Sequence, residues 1–246
     1  MKKLTGKVAV ITGSSKGIGA AIAQKMGIEG AKVIVNYSGS QEAAEDVVQI
    51  IARNGGEAFA VKADVSRKTE VIRLFDEAIT KFGQIDIWVN NAGVMFNAMI
   101  KDLSEEQFEK SIDINFKGIF YSLQEAANRM AENGSIINLS STVTRTIFPT
   151  YGVYSATKAA VEQLSRVFAK EIGAKGINVN CVQPGPTATD LFLKGKSEEF
   201  ITQIASTNAF KRLGTPNEIA DIVTFLATDE AKWISGQSIG ANGGMA

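Results

Sequence analysis

The sequence predicts an α/β protein, a doubly wound, seven-stranded parallel sheet flanked by helices. Two observations carry this reading. Short β-branched runs alternate with longer amphipathic stretches along almost all of the 246 residues, the pattern of successive βαβ units. Small and polar clusters, Gly13, Asn91-Ala92-Gly93, Ser140-Ser141 and Pro184-Gly185, each follow a strand-like run, as one rim of a ligand site at the carboxyl ends of parallel strands requires. Taken singly, each cluster also reads as ordinary turn residues.

In chain order, the first strand (7–11) contains the apolar run Val8-Ala9-Val10-Ile11, broken at Thr12-Gly13 before a helix over 17–29. A second strand over 32–36 ends at Asn36, and helix 41–54, strand 57–62 and helix 68–82 follow. Strand 85–90 runs into Asn91-Ala92-Gly93. One long helix is expected over 105–130, because Ser104 with Gln107 three residues on forms a capping-box start. Strand 135–139 leads to Ser140-Ser141 and a helix over 150–174. Strand 177–182 includes Cys181, the sole cysteine, where burial is the expected role. Helix 217–227 and strand 237–240 complete the pattern. No Pro/Gly/Ser-rich linker or internal repeat divides the chain, so residues 1–246 are expected to form a single domain.

Composition excludes several chemistries. The chain has no histidine, which removes Ser-His-Asp hydrolysis, Cys-His chemistry and histidine-ligated zinc. No metal site is expected, and acid–base work near neutral pH falls to tyrosine, lysine or a carboxylate. Lys plus Arg equals Asp plus Glu at 26 each, so the summed field gives no reason to expect nucleic acid or an anionic membrane as a partner. The apolar run after Lys2 and Lys3 is too short for a signal segment or a membrane span, and a soluble, cytoplasmic protein is expected.

The segment Thr12-Gly13-Ser14-Ser15-Lys16-Gly17-Ile18-Gly19 lies between the first strand and first helix. Glycines there permit a tight turn and close backbone approach, while the helix start offers unpaired N–H groups to a pyrophosphate. The second strand then sorts the nucleotides. An acidic residue at its end would bind the ribose 2′-OH of NAD; here Asn36 is followed by Tyr37 and Ser38, with no carboxylate before Glu42. With Lys16 adding positive charge, this pattern favours NADPH over NAD.

Tyr154 is followed four residues later by Lys158. On a helix that step rises ~6 Å and returns to the same face, so an ammonium can sit beside a phenol and bring its pKa from ~10 toward the working range. With four tyrosines and 19 lysines, chance supplies this spacing in roughly a third of such chains, so its weight comes from context. Tyr37, Tyr121 and Tyr151 have no lysine four positions on.

These motifs, in this order and approximate spacing, resemble the short-chain dehydrogenase/reductase family over essentially the whole chain. The likeness is to its compact, single-domain Rossmann-like members, such as 3-oxoacyl-carrier-protein reductases and carbonyl reductases. The resemblance implies an NADP(H)-dependent oxidoreductase with Asn115, Ser141, Tyr154 and Lys158 as its catalytic set. Asn115 would hold a water in a proton relay, Ser141 would orient substrate, and Lys158 would also hold the nicotinamide ribose. It further implies that Asp64 and Val65 contact adenine, that Asn91 with Ala92 and Gly93 forms the cofactor floor, and that Pro184, Gly185, Thr187 and Thr189 meet the nicotinamide end. Residues 190–208, within a stretch near 187–210, resemble a mobile segment that covers substrate.

The substrate is less determined. Carrier-protein reductases resemble one another in basic residues before the fifth and sixth strands, where this chain offers only Arg129 and Lys175, beside Glu132. A reductase of free ketones or ketoesters therefore ranks ahead of an acyl-carrier-protein reductase. Thr142, Val143, Thr144, Ile147, Phe148 and Tyr151, with Leu191, Phe192 and Leu193, would suit an apolar ketone, although several would equally serve as packing. A nucleotide-binding regulator without turnover is the alternative from another class, and the complete Asn-Ser-Tyr-Lys set argues against it. The last strand and tail, with Asn242 where an aspartate is common, resemble the subunit contact of a homotetramer.

Overall fold

The computed structural model describes residues 2–246. One parallel seven-stranded sheet forms the centre: β1 (Val8–Ile11), β2 (Lys32–Tyr37), β3 (Glu57–Lys62), β4 (Ile87–Asn90), β5 (Ser135–Leu139), β6 (Asn178–Pro184) and β7 (Ser238–Ala241). Their spatial order is β3-β2-β1-β4-β5-β6-β7, so the winding reverses between β1 and β4. A crevice opens at such a reversal, beyond the carboxyl ends of the strands.

Alternation along each strand builds two cores. Ala9, Ile11, Val33, Val35, Ile87 and Val89 face one layer, which is closed by α1 (Gly17–Ile28), α2 (Gln41–Arg53) and α10 (Pro216–Leu226). Val10, Ile34, Trp88 and Ile136 face the other, closed by α3 (Lys68–Phe82), α5 (Gly118–Arg129) and α7 (Gly152–Ile172). Burial on both faces explains why β1 reads as an unbroken apolar run. Trp88 stacks on Phe75 of α3 at a centroid distance of 4.0 Å, fixing that helix against β4.

The strands match expectation to within two residues. β4 starts at Ile87, because Asp86 turns its carboxylate back to accept from the Val8 N–H at 2.8 Å. The largest departure is the expected helix over 105–130. It is two helices, α4 (Glu105–Ile112) and α5, joined by a π-turn over Asp113–Lys117. The capping box of Ser104 and Gln107 starts α4 as the sequence predicts. The short helices α6 (Val143–Thr146), α8 (Asp190–Leu193) and α9 (Glu198–Ala205) were not foreseen. They carry too few turns for apolar periodicity to register.

Candidate active site

After β1 the chain turns through Gly13 at φ 61° and Gly17 at φ 58°. A Cβ on Gly13 would meet the Cα of Ala92 at 2.9 Å, and one on Gly19 would meet the Gly13 carbonyl oxygen at 2.6 Å. Only glycine fits between these backbones. α1 starts at Gly17 with no side chain capping it, so the N–H groups of its first turn stay free to face an anion. The neighbouring loop holds the turn in place. The Asn91 amide donates to the carbonyls of Thr12 (2.9 Å) and Gly13 (3.0 Å), while the Thr12 hydroxyl accepts from the N–H groups of Asn91 and Ala92, both at 3.0 Å.

A cavity of about 900 Å³ runs along the carboxyl edge of the sheet. One end is lined by Ser15, Lys16, Tyr37, Ser38, Asp64 and Val65, the middle by Gly13, Ile18, Asn91, Ala92 and Gly93, and the other end by Ser141, Tyr154, Lys158, Pro184 and Gly185. Thr187 and Thr189 close one side, with Thr189 standing against Gly17. The Thr187 hydroxyl is engaged by the Gly185 carbonyl at 2.9 Å, and Thr189 caps α8.

Three sequence expectations need correction. Ser14 is fully buried beneath the turn, donating its hydroxyl to the Ile11 carbonyl at 2.8 Å and its N–H to the Asn36 carbonyl at 2.8 Å. It holds the turn and does not line the cavity. Asn36 touches the cavity wall, but its amide is occupied: Oδ1 accepts from the Gly13 N–H at 3.0 Å, and Nδ2 donates to the carbonyls of Val61 (3.2 Å) and Ala63 (3.0 Å). β2 runs one residue further than expected, to Tyr37, and Tyr37 and the exposed Ser38 line the cavity beyond Asn36. Asn115 sits in the π-turn behind the cavity wall. It accepts from the Val94 N–H at 2.8 Å and donates to the Val94 carbonyl at 2.9 Å, so its side-chain amide clamps Val94 and does not line the cavity.

α7 places Tyr154 and Lys158 on one face, as their spacing requires. Ser141 stands beside the Tyr154 phenol in the cavity wall and favours its ionised form. The Lys158 ammonium donates to the Leu139 carbonyl at 2.7 Å and lies 5.8 Å from the centre of the Tyr154 ring. Burial pushes the phenol up to about 12, against the partial offset from Ser141, and pushes the lysine down to about 8. This differs from the expected lowering of the phenol by its lysine: with the ammonium turned to Leu139, desolvation dominates. The phenol is held protonated, which is the state of a proton donor.

Sequence reasoning missed the Leu139 carbonyl and the Val94 backbone, since main-chain groups leave no residue signature. It also missed Asn97, which lines the cavity beside Tyr151 from irregular chain after β4. Among the described residues no helix is long and apolar enough to cross a membrane.

Comparison with known proteins agrees with this geometry. A family model described as enoyl-(acyl carrier protein) reductase matches residues 13–246. The chain is 43% identical to an NADPH-dependent aldehyde reductase of Arabidopsis thaliana, covering 98% of this chain and 94% of that one. A short-chain dehydrogenase/reductase from Serratia marcescens superposes with a TM-score of 0.95 at 36% identity, covering 99% of each chain. The angucycline C-6 ketoreductase LanV, solved with bound NADP, superposes at 0.94 with 38% identity over 99% of this chain and 96% of that one. Similarity of this extent, on a sheet wound in this order and with serine, tyrosine and lysine meeting in one cavity, makes the chain an oxidoreductase of the short-chain dehydrogenase/reductase family.

Proposed function

We propose that this protein is an NADPH-dependent carbonyl reductase that converts ketones or ketoesters to secondary alcohols, with Tyr154 as the proton donor. The carrying observation is that Ser141, Tyr154 and Lys158 share a cavity with the glycine turn. The turn fits a dinucleotide: its glycines leave no Cβ in the way, and an uncapped helix start faces the cavity. Lys16, Tyr37 and Ser38 would surround the adenosine ribose, and none of the three is a carboxylate that would repel a 2′-phosphate. Bound there, NADPH would supply the hydride. Ser141 then holds the substrate carbonyl by hydrogen bonding, Tyr154 gives its phenolic proton to the developing alkoxide, and the Lys158 ammonium beside it supports the phenolate that remains. Acid catalysis and oxyanion stabilisation of this kind each contribute on the order of a hundredfold or more in rate. Asn115 acts on this machinery by positioning Val94.

The substrate end is apolar, with Val94, Met95, Phe148, Tyr151, Phe192 and Ile204 in the wall, which suits a bulky, apolar ketone. LanV, also solved with NADP and rabelomycin, supports extending this to aryl and polycyclic ketones. Leu191, Phe192 and Ile204 belong to the 190–208 segment, which we read as the mobile cover of a single-domain enzyme. The carrier-protein reading is weakened by its own candidates: Arg129 is paired with Asp76 and Glu125, and Lys175 donates to the Ala127 carbonyl. We further infer a cytoplasmic homotetramer.

A screen of NADPH and NADH oxidation against acetoacetyl esters, acetoacetyl-coenzyme A, aryl ketones, diketones and sugars tests the reading. Reduction of apolar ketones faster with NADPH is expected, and NADH equal or better would overturn the nucleotide assignment. Tyr154→Phe should lower turnover about a hundred- to ten-thousandfold while NADPH still binds. NADPH binding with no ketone reduced would favour the non-catalytic regulator.

A further inference from the structure

We propose that Glu162 is a positioning residue that holds the Ser140-Ser141 turn against α7, and that this carboxylate is required for full turnover. Three consecutive residues at the end of β5 are tied to three residues recurring every four along α7. The Leu139 carbonyl accepts from Lys158 Nζ at 2.7 Å, the Ser140 hydroxyl donates to Glu162 Oε1 at 2.5 Å, and Ser141 stands beside Tyr154 in the cavity wall. Tyr154, Lys158 and Glu162 therefore form one stripe of the helix, and two of its members belong to the proposed chemistry. The third has no part in that chemistry, yet it is buried.

A buried carboxylate is costly unless its oxygens are hydrogen-bonded. Glu162 is held by neutral donors. Besides Ser140, Oε1 accepts from the Thr144 hydroxyl at 2.9 Å and from Gln183 Nε2 at 2.8 Å. These donors come from the β5 end, from α6 and from β6, so one oxygen joins every element that walls Ser141. Gln183 also donates to the Thr144 hydroxyl at 3.1 Å, and its own Oε1 is left buried without a partner. An acceptor on the other side makes that amide orientation favourable, and Glu162 Oε1 supplies it. The single Thr144 proton is shared between Glu162 Oε1 and the Ser141 carbonyl, 3.0 Å from the hydroxyl, which places this donor directly against the residue that meets substrate. A donor displaced by about 1 Å can lower a rate about a hundredfold.

This inference rests on the reading of Tyr154 and Ser141 as catalytic, and it is tested both with and without activity. Glu162→Gln should lower kcat about ten- to hundredfold, with the NADPH dissociation constant from fluorescence titration changed less than about twofold. Ser140→Ala should cause a similar fall, and the double variant should fall no further, as expected for two residues acting through one contact. Unchanged kcat in folded Glu162→Gln, or losses that multiply in the double variant, would overturn the proposal. Should Glu162→Gln not fold, Thr144→Val, which keeps the carboxylate and its other donors, should lower kcat several-fold, and wild-type kcat there overturns the proposal instead. A crystal structure of Glu162→Gln, or of Thr144→Val in that case, reads the inference independently of turnover. The turn at 139–141 should be displaced from α7, and an undisturbed turn would refute positioning even if Tyr154 proved to have another role.

Discussion

The chemistry at the scale of single residues is set by desolvation. Burial moves Tyr154 up to about 12 and Lys158 down to about 8, from ordinary values near 10.0 and 10.5. A lowered lysine is charged below about 8 and neutral above it, whereas the phenol keeps its proton throughout that range. Ketone reduction should therefore hold a plateau at lower pH and decline as pH rises through about 8, with no separate loss from the tyrosine. The pH profile of kcat/KM for NADPH reports the free enzyme and measures this directly; a plateau extending past pH 10 would show that Lys158 is not held low. The pairing of Tyr154 with Lys158 was legible because helical spacing places side chains on one face, while Ser141 was named through the family resemblance. The protonation of the pair was not legible, because it depends on where the ammonium turns, and that is toward a main-chain carbonyl with no sequence signature.

Among the elements, the glycine turn and α1 carry the sharpest constraint. A Cβ on Gly19 would lie 2.6 Å from the Gly13 carbonyl oxygen and 2.9 Å from the Ser14 Cα, both backbone atoms. Gly19→Ala should cost about 1–3 kcal/mol of stability by overpacking and weaken NADPH binding at least about tenfold by opening the turn. Thermal melts and fluorescence titration read the two effects, and wild-type values in both would show that the turn is loose. The turn itself was recognisable from its place after the first strand. The functions of Ser14 and Asn36 within it were misjudged, since a polar residue in a binding loop looks the same whether it faces the ligand or supports the loop from behind. Likewise the π-turn in the expected 105–130 helix left no mark on the periodicity. It is specified by a long-range contact, the Asn115 amide on Val94, between residues 21 positions apart.

The whole molecule exposes several large apolar side chains outside the cavity lining. Trp233 and Phe210 lie near the tail, 102% and 69% exposed, and Phe108 and Phe120 lie on α4 and α5. Large apolar side chains left exposed in this way suit contact with another chain, which is the physical ground for the proposed homotetramer. Light scattering should give four times the monomer mass, and Phe120→Glu should shift it to a smaller species; a monomeric wild type would refute the assembly. By itself the sequence determined the parallel α/β layering, the glycine turn after the first strand and the Tyr154–Lys158 pair, because these follow from local periodicity and from residue types at short spacing, whereas Ser141 entered through the family resemblance. Only the tertiary structure decided which polar residues face the cavity and which brace it, how far burial shifts the catalytic groups, and that Glu162 stands behind Ser141. Those properties arise from packing between segments distant in the chain, and no local pattern encodes the surroundings that one side chain finds against another.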